Sequence, residues 1–182
     1  MRPDPFLQSL PAGADVPTAI RRLHEAPGQY AGRCSIVGGR GWLVALALRL
    51  GHFPRDAEDI PVQIKIDRDG PEWRWARDFD GHITRSRLTF DHGAACVREQ
   101  MGWLSFWLVP EISDGCLLIH IRRLSVLGLR CPAFLLPRSS TVEWQDETGR
   151  FCFDVSADMP MMGPLIRYRG WLTPVHEPSR PD

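Results

Sequence analysis

The sequence predicts a mainly β protein: an antiparallel curved sheet, barrel or half-barrel of about nine or ten strands, with one or two helices covering an opening. Three observations predict it. From Asp59 onward apolar residues recur with a period of two, as in Val62, Ile64 and Ile66 against Gln63, Lys65 and Asp67. Turn signals such as Asp69-Gly70-Pro71, Asp80-Gly81 and Ser113-Asp114-Gly115 separate the alternating runs at short intervals. Only two stretches read as helices, and both precede the alternation. A chain of successive hairpins leaves two sheet edges exposed unless the sheet curls, so a closed or nearly closed sheet is expected.

Residues 1–17 are rich in proline and are expected to be an irregular tail, as are residues 175–182. Asp15 or Thr18 can cap a short helix over Ala19 to His24, which Pro27-Gly28 stops. Tyr30 to Val37 reads as a strand closed by Gly38-Gly39. From Gly41 to Gly51 alanine and leucine favour a helix, glycine brackets it, and Pro54 follows. This helix is apolar nearly all round, so burial against the sheet is expected, with a lid over an apolar cavity or a membrane-surface contact as alternatives.

The hairpin across Asp69-Gly70-Pro71 joins the Val62 run to one carrying Trp73, Trp75 and Phe79. Further strands are expected over His82 to Phe90, Ala94 to Met101, Trp103 to Val109 and Cys116 to Leu124, with an irregular, proline-punctuated stretch from Leu127 to Pro137. Val142 to Gln145 and Phe151 to Val155 flank an Asp146-to-Gly149 turn, and Gly163 to Leu172 is the last strand. There Leu165, Arg167, Arg169 and Trp171 share one face, and Ile166, Tyr168 and Leu172 the other. A guanidinium between apolar neighbours calls for a carboxylate or a bound anion, so a paired polar cluster inside the sheet is expected.

At 182 residues, with 43% hydrophobic and 24% charged residues, the chain fits one domain with a sizeable core. Twenty-two basic residues balance 22 acidic ones, which argues against a nucleic-acid partner. Lys65 is the one lysine; the arginine bias is spread over the whole chain and marks no site. Cys34, Cys96, Cys116, Cys131 and Cys152 are odd in number and widely spaced, as expected of reduced thiols in a cytoplasmic protein. The N-terminus lacks the apolar core of a secretory signal, and no apolar run is long enough to span a bilayer, so membrane contact is not expected.

Glu99 shares a strand face with Val97 and Met101, a placement that raises a carboxyl pKa and suits a general acid or base unless an arginine pairs with it. The candidates for that pairing are Arg85, Arg87, Arg123, Arg167 and Arg169. Arg123 lies on the face of Leu117, Ile119 and Ile121, and with Glu99 it forms the candidate catalytic pair. Trp73, Trp75, Trp107 and Trp171, together with Arg85, Arg87, Arg167 and Arg169, are the candidate ligand-binding residues, as strand tryptophans either fill a core or line a pocket. His82, His92 and His120 have no metal-ligand spacing, and neither a nucleophile elbow nor a dinucleotide-binding glycine motif is present, so no metal or cofactor is expected.

Several segments resemble a bacterial family of uncharacterised domains. They are Arg22-Leu23-His24, the Gly41-to-Pro54 helix leading to Asp59-Ile60-Pro61-Val62, Arg85-Ser86-Arg87-Leu88, Glu99 with Gly102, Gly149-Arg150-Phe151-Cys152-Phe153-Asp154-Val155, and Gly163 through Leu172. Such domains occur alone or fused after saccharopine-dehydrogenase-like and other Rossmann oxidoreductases. The resemblance implies no catalytic set, but it makes an oxidoreductase a candidate partner. The expected function is binding of a hydrophobic small molecule in the barrel, with cofactor-independent isomerisation or cyclisation as its catalytic form. The alternative is a non-catalytic accessory module for an oxidoreductase.

Overall fold

The computed structural model describes residues 3–175. Ten antiparallel strands close into a barrel. They are β1 (Gly28–Gly38), β2 (Ala57–Asp69), β3 (Glu72–Phe79), β4 (His82–Asp91), β5 (Cys96–Met101), β6 (Leu104–Ser113), β7 (Cys116–Val126), β10 (Thr141–Gln145), β11 (Phe151–Met159) and β12 (Gly163–Pro174). Each pairs with the next in this order, and the ring closes where β12 meets β1. The connection between β7 and β10 carries two short strands, β8 (Leu129–Arg130) on β7 and β9 (Arg138–Ser139) on β11, with a 3-10 turn between them.

The closing pair shows why glycine stands in both strands. A Cβ on Gly32 would lie 1.8 Å from the Trp171 carbonyl oxygen, and one on Gly170 would lie 2.2 Å from that of Arg33. Only strands without side chains at these points can approach so closely, and the approach bends the sheet enough to close.

The two barrel ends differ. At one end, α1 (Pro5–Ser9) packs on β4, β5 and β6, and α2 (Thr18–Glu25) on β10 and β11. Residues 1–17 are therefore not a plain tail: Asp4 caps α1 by accepting from the Phe6 and Leu7 N–H groups, and Pro5 occupies the first turn, where its missing N–H costs nothing. Phe6, Ile20 and Leu23 enter the core. No side chain of α2 itself caps it; the Gln145 side chain instead accepts from the Ala19 N–H at 2.8 Å. The expected tail at 175–182 lies outside the described residues apart from Val175.

At the other end lies α3 (Trp42–Leu50), and here the expectation of burial fails. Only Val44 is buried, while Trp42 is 75% exposed and Leu43, Leu46 and Leu50 are also exposed. The barrel wall is already complete without this helix, so it spans an opening and can bury no more than its lower edge. No helix among the described residues is long and apolar enough to cross a membrane.

Candidate functional site

A barrel of ten strands is wider than its inward side chains can fill, and a cavity of about 410 Å³ remains inside. Its walls are aliphatic and aromatic, with Val62, Ile64, Phe79, Leu108, Ile119 and Phe153 among them. Phe6 and Leu23 of the helical plug form its floor, and Ala47, Leu50 and Phe53 lie at the α3 end. Leu50 both lines the cavity and is exposed, so the cavity meets the surface beside α3.

Two charged groups of partners interrupt the apolar lining. Arg77 donates to Glu99 at 3.1 Å and to the Ser86 hydroxyl at 2.9 Å, and its guanidinium lies 4.9 Å from the centre of the Trp75 ring. Glu99 is only 9% exposed, so this pairing is what permits its burial. At the floor, fully buried His24 bridges two carboxylates, with Nδ1 2.5 Å from Asp4 and Nε2 2.9 Å from Glu143. Burial, the largest single influence on His24, lowers its pKa; the charges and hydrogen bonds of Asp4 and Glu143 together outweigh it and raise the pKa to about 10. His24 is thus an imidazolium at neutral pH, with both ring N–H groups engaged.

Two neutral donors on the lining have no such partner. The indole N–H of Trp75 is buried without a hydrogen bond, and no hydrogen bond engages the Tyr168 hydroxyl among the described residues. Burial of Tyr168, packed edge-on to Phe79 and Phe153, pushes its pKa up to about 12, so it remains a neutral phenol. The Trp75 nitrogen is covered by its neighbours, whereas the Tyr168 hydroxyl keeps accessible surface and is the donor that a ligand acceptor in the cavity can reach.

Of the residues singled out from the sequence, the structure brings Glu99 and Trp75 to the cavity. Trp73 is fully buried but does not line it. Arg123 faces away: the β6–β7 pairing shifts register at Trp107/Leu108, where Trp107 pairs with Arg123 and Leu108 with Ile121. That irregularity reverses the alternation, so Ile119 and Ile121 line the cavity before it and Leu124 and Val126 after it. Glu99 and Arg123 therefore do not form a pair. Arg85 and Arg87 are exposed, since Thr84, Ser86 and Leu88 take the buried positions of β4.

The arginine face of β12 is also the outer one. Arg167 forks onto Asp154 of β11, with its Nε 2.8 Å from the carboxylate. The expected pairing exists, but on the surface and away from the core. Trp107 is stacked between Arg98 and Arg123 while its N–H bonds Asp91 at 2.8 Å. Trp171 carries Arg150 at 4.7 Å and Trp144 carries Arg169 at 5.8 Å. The outer tryptophans are thus roofed by guanidinium groups, a cation–π arrangement in which the flat arginine head serves better than lysine.

Alternation alone points Arg77 inward, since it shares a face with Trp73, Trp75 and Phe79. His24 and Glu143 carry no comparable signal, because 119 residues separate them and only ring closure joins them. All five cysteines are free. Among the described residues, no cluster of three or more His, Cys, Asp or Glu side chains is placed to hold a metal ion.

The family model described as Domain of unknown function (DUF4166) matches residues 16–172, which takes in every barrel strand except the last two residues of β12. No curated protein matches the chain.

Proposed function

We propose that this chain, which belongs to the DUF4166 family, is a binding protein for a hydrophobic small molecule held inside its barrel, and that the ligand is neutral and carries a hydrogen-bond-accepting oxygen. The observation that carries this reading is the pattern of polar groups on the cavity lining. Every charged pair there is internally satisfied, whereas the Tyr168 O–H, a neutral donor open to the cavity, has no partner among the described residues. A carboxylate ligand would have to compete with Glu99 for Arg77, and an ammonium ligand with Arg77 for Glu99. A ketone, ester or alcohol oxygen needs to displace nothing. The volume of about 410 Å³ supports a small-molecule occupant, since such sites commonly run about 300–1,000 Å³.

The same pattern favours carriage over turnover. The Glu99 carboxylate is engaged by Arg77, and His24, with both ring N–H groups bonded, holds its proton up to about pH 10. The test is a matched pair of ligands, a long-chain ketone and the alkane of equal length, titrated into the wild-type protein and into Tyr168→Phe. The ketone should bind more tightly to the wild type, and loss of one hydrogen bond should cut that preference by about 3- to 10-fold in the variant. Equal affinity for ketone and alkane in the wild type would refute the polar subsite.

A further inference from the structure

The strand directions place five connections at the α3 end, the short turns at residues 80–81 and 102–103 and three that carry most of its surface: residues 39–56 between β1 and β2, residues 127–140 between β7 and β10, and residues 160–162 between β11 and β12. Almost all the large exposed apolar side chains among the described residues are on them or beside them. Besides Trp42, Leu129 is 77% exposed, Phe134 70% and Met161 97%. At the plug end Val175 alone is comparable. Isolated exposed leucines are ordinary, but their concentration on three separate connections at one end is not.

Charge follows the same division. The three connections contain five arginines, Arg40, Arg49, Arg55, Arg130 and Arg138, against one carboxylate, Asp56, although basic and acidic residues are equal over the whole chain. None of the five is in an ion pair among the described residues. The turns at the plug end lean the other way, with Asp69, Asp91, Asp114, Asp146 and Glu147 against Arg68 and Arg150, and Asp69 and Asp146 are paired with arginines. At the α3 end Asp56 is engaged by the Gly38 N–H, Asp80 lies in the short β3–β4 turn, and Asp158 stands at the edge.

The geometry points to the α3 end as a docking face for an anionic lipid surface, through which the cavity exchanges its ligand. The inference rests on the binding role proposed above. A tryptophan and leucines interleaved with unpaired arginines match the interfacial region of a bilayer, where apolar side chains enter the acyl boundary and guanidinium groups meet lipid phosphates. The plug end lacks comparable exposed apolar side chains, which fixes the orientation with the cavity mouth toward the lipid. A water-insoluble ligand could then pass beside Leu50 without crossing solvent. A second copy of the chain is the poorer occupant, because the same unpaired arginines would face one another across a symmetric contact.

The test is co-sedimentation of the full chain with vesicles of phosphatidylcholine alone or mixed with phosphatidylserine. The expected result is binding to the mixed vesicles, weakened by salt and reduced about tenfold or more in Trp42→Ser/Leu46→Ser. Arg130→Glu/Arg138→Glu, on a different connection, should also lose binding while both variants keep the wild-type melting temperature. Absence of binding to both vesicle types would overturn the inference, as would a concentration-dependent dimer abolished by Trp42→Ser/Leu46→Ser. Ligand titration without vesicles reads the cavity separately: uptake without vesicle binding rejects the docking face alone, and vesicle binding without uptake rejects the binding role on which its purpose rests.

Discussion

Arg77 and His24 show how buried charges are tolerated inside this barrel. Each is held by oxygens of strands or segments that sequence distance separates, Arg77 by Glu99 and Ser86, His24 by Asp4 and Glu143. Arg77→Met should destabilise the protein by about 3–5 kcal/mol in chemical denaturation, because it strands the Glu99 carboxylate, whereas adding Glu99→Leu should restore part of that loss. A simply additive double-mutant cycle would show that the two groups do not interact. For His24 the sign follows from its raised pKa: the folded state holds a proton that the unfolded state releases above the ordinary histidine value of 6.5. Its contribution is complete below about pH 6.5 and is lost as pH rises through about 10. Melting temperature should therefore fall between these values, and His24→Gln should flatten that part of the profile. The inward direction of Glu99 was legible from alternation, but its partner was not, since choosing among arginines requires the order β3-β4-β5 and the register between those strands. Arg123 misled for a local reason, a bulge that alternation alone does not reveal.

Among the elements, the hairpins from β2 to β7 follow from period-two patterning and their turns, and their ends fall close to the expected ones. The two helical ends were harder to read. α1 is a single short helix made possible by the Asp4 cap and by burial of Phe6 in a barrel floor whose existence no local pattern announces. The position of α3 was ambiguous because an all-apolar helix fits a core, a lid or a lipid surface equally well. Its attachment depends on Gly39, whose N–H donates to the Leu165 carbonyl at 2.9 Å and whose missing side chain leaves room for the Pro164 carbonyl oxygen, 1.7 Å from where a Cβ would stand. Gly39→Val should detach the lid and leave the barrel folded. Trypsin should then cut faster at Arg40, Arg49 or Arg55 with an unchanged far-ultraviolet circular dichroism spectrum. Unaltered cleavage would show that the contact does not hold the helix.

At the scale of the whole molecule, closure of the sheet accounts for most of what the individual elements leave unexplained. It joins Glu143 to His24, turns the arginine face of β12 outward, and leaves an apolar interior that ten strands cannot fill. Gly32→Val should attack closure directly by forcing a side chain into the Trp171 carbonyl, and amide exchange should quicken along both β1 and β12 while β3–β4 stays protected. The central claim is that the interior receives a neutral apolar ligand. Its most direct test is titration of a fluorescent long-chain ketone into the wild-type protein and into Ala157→Trp, whose indole would occupy the cavity that Ala157 lines. Saturable uptake by the wild type, abolished in a folded Ala157→Trp, is the predicted result; no saturable uptake, or uptake unchanged by the filled cavity, would contradict it.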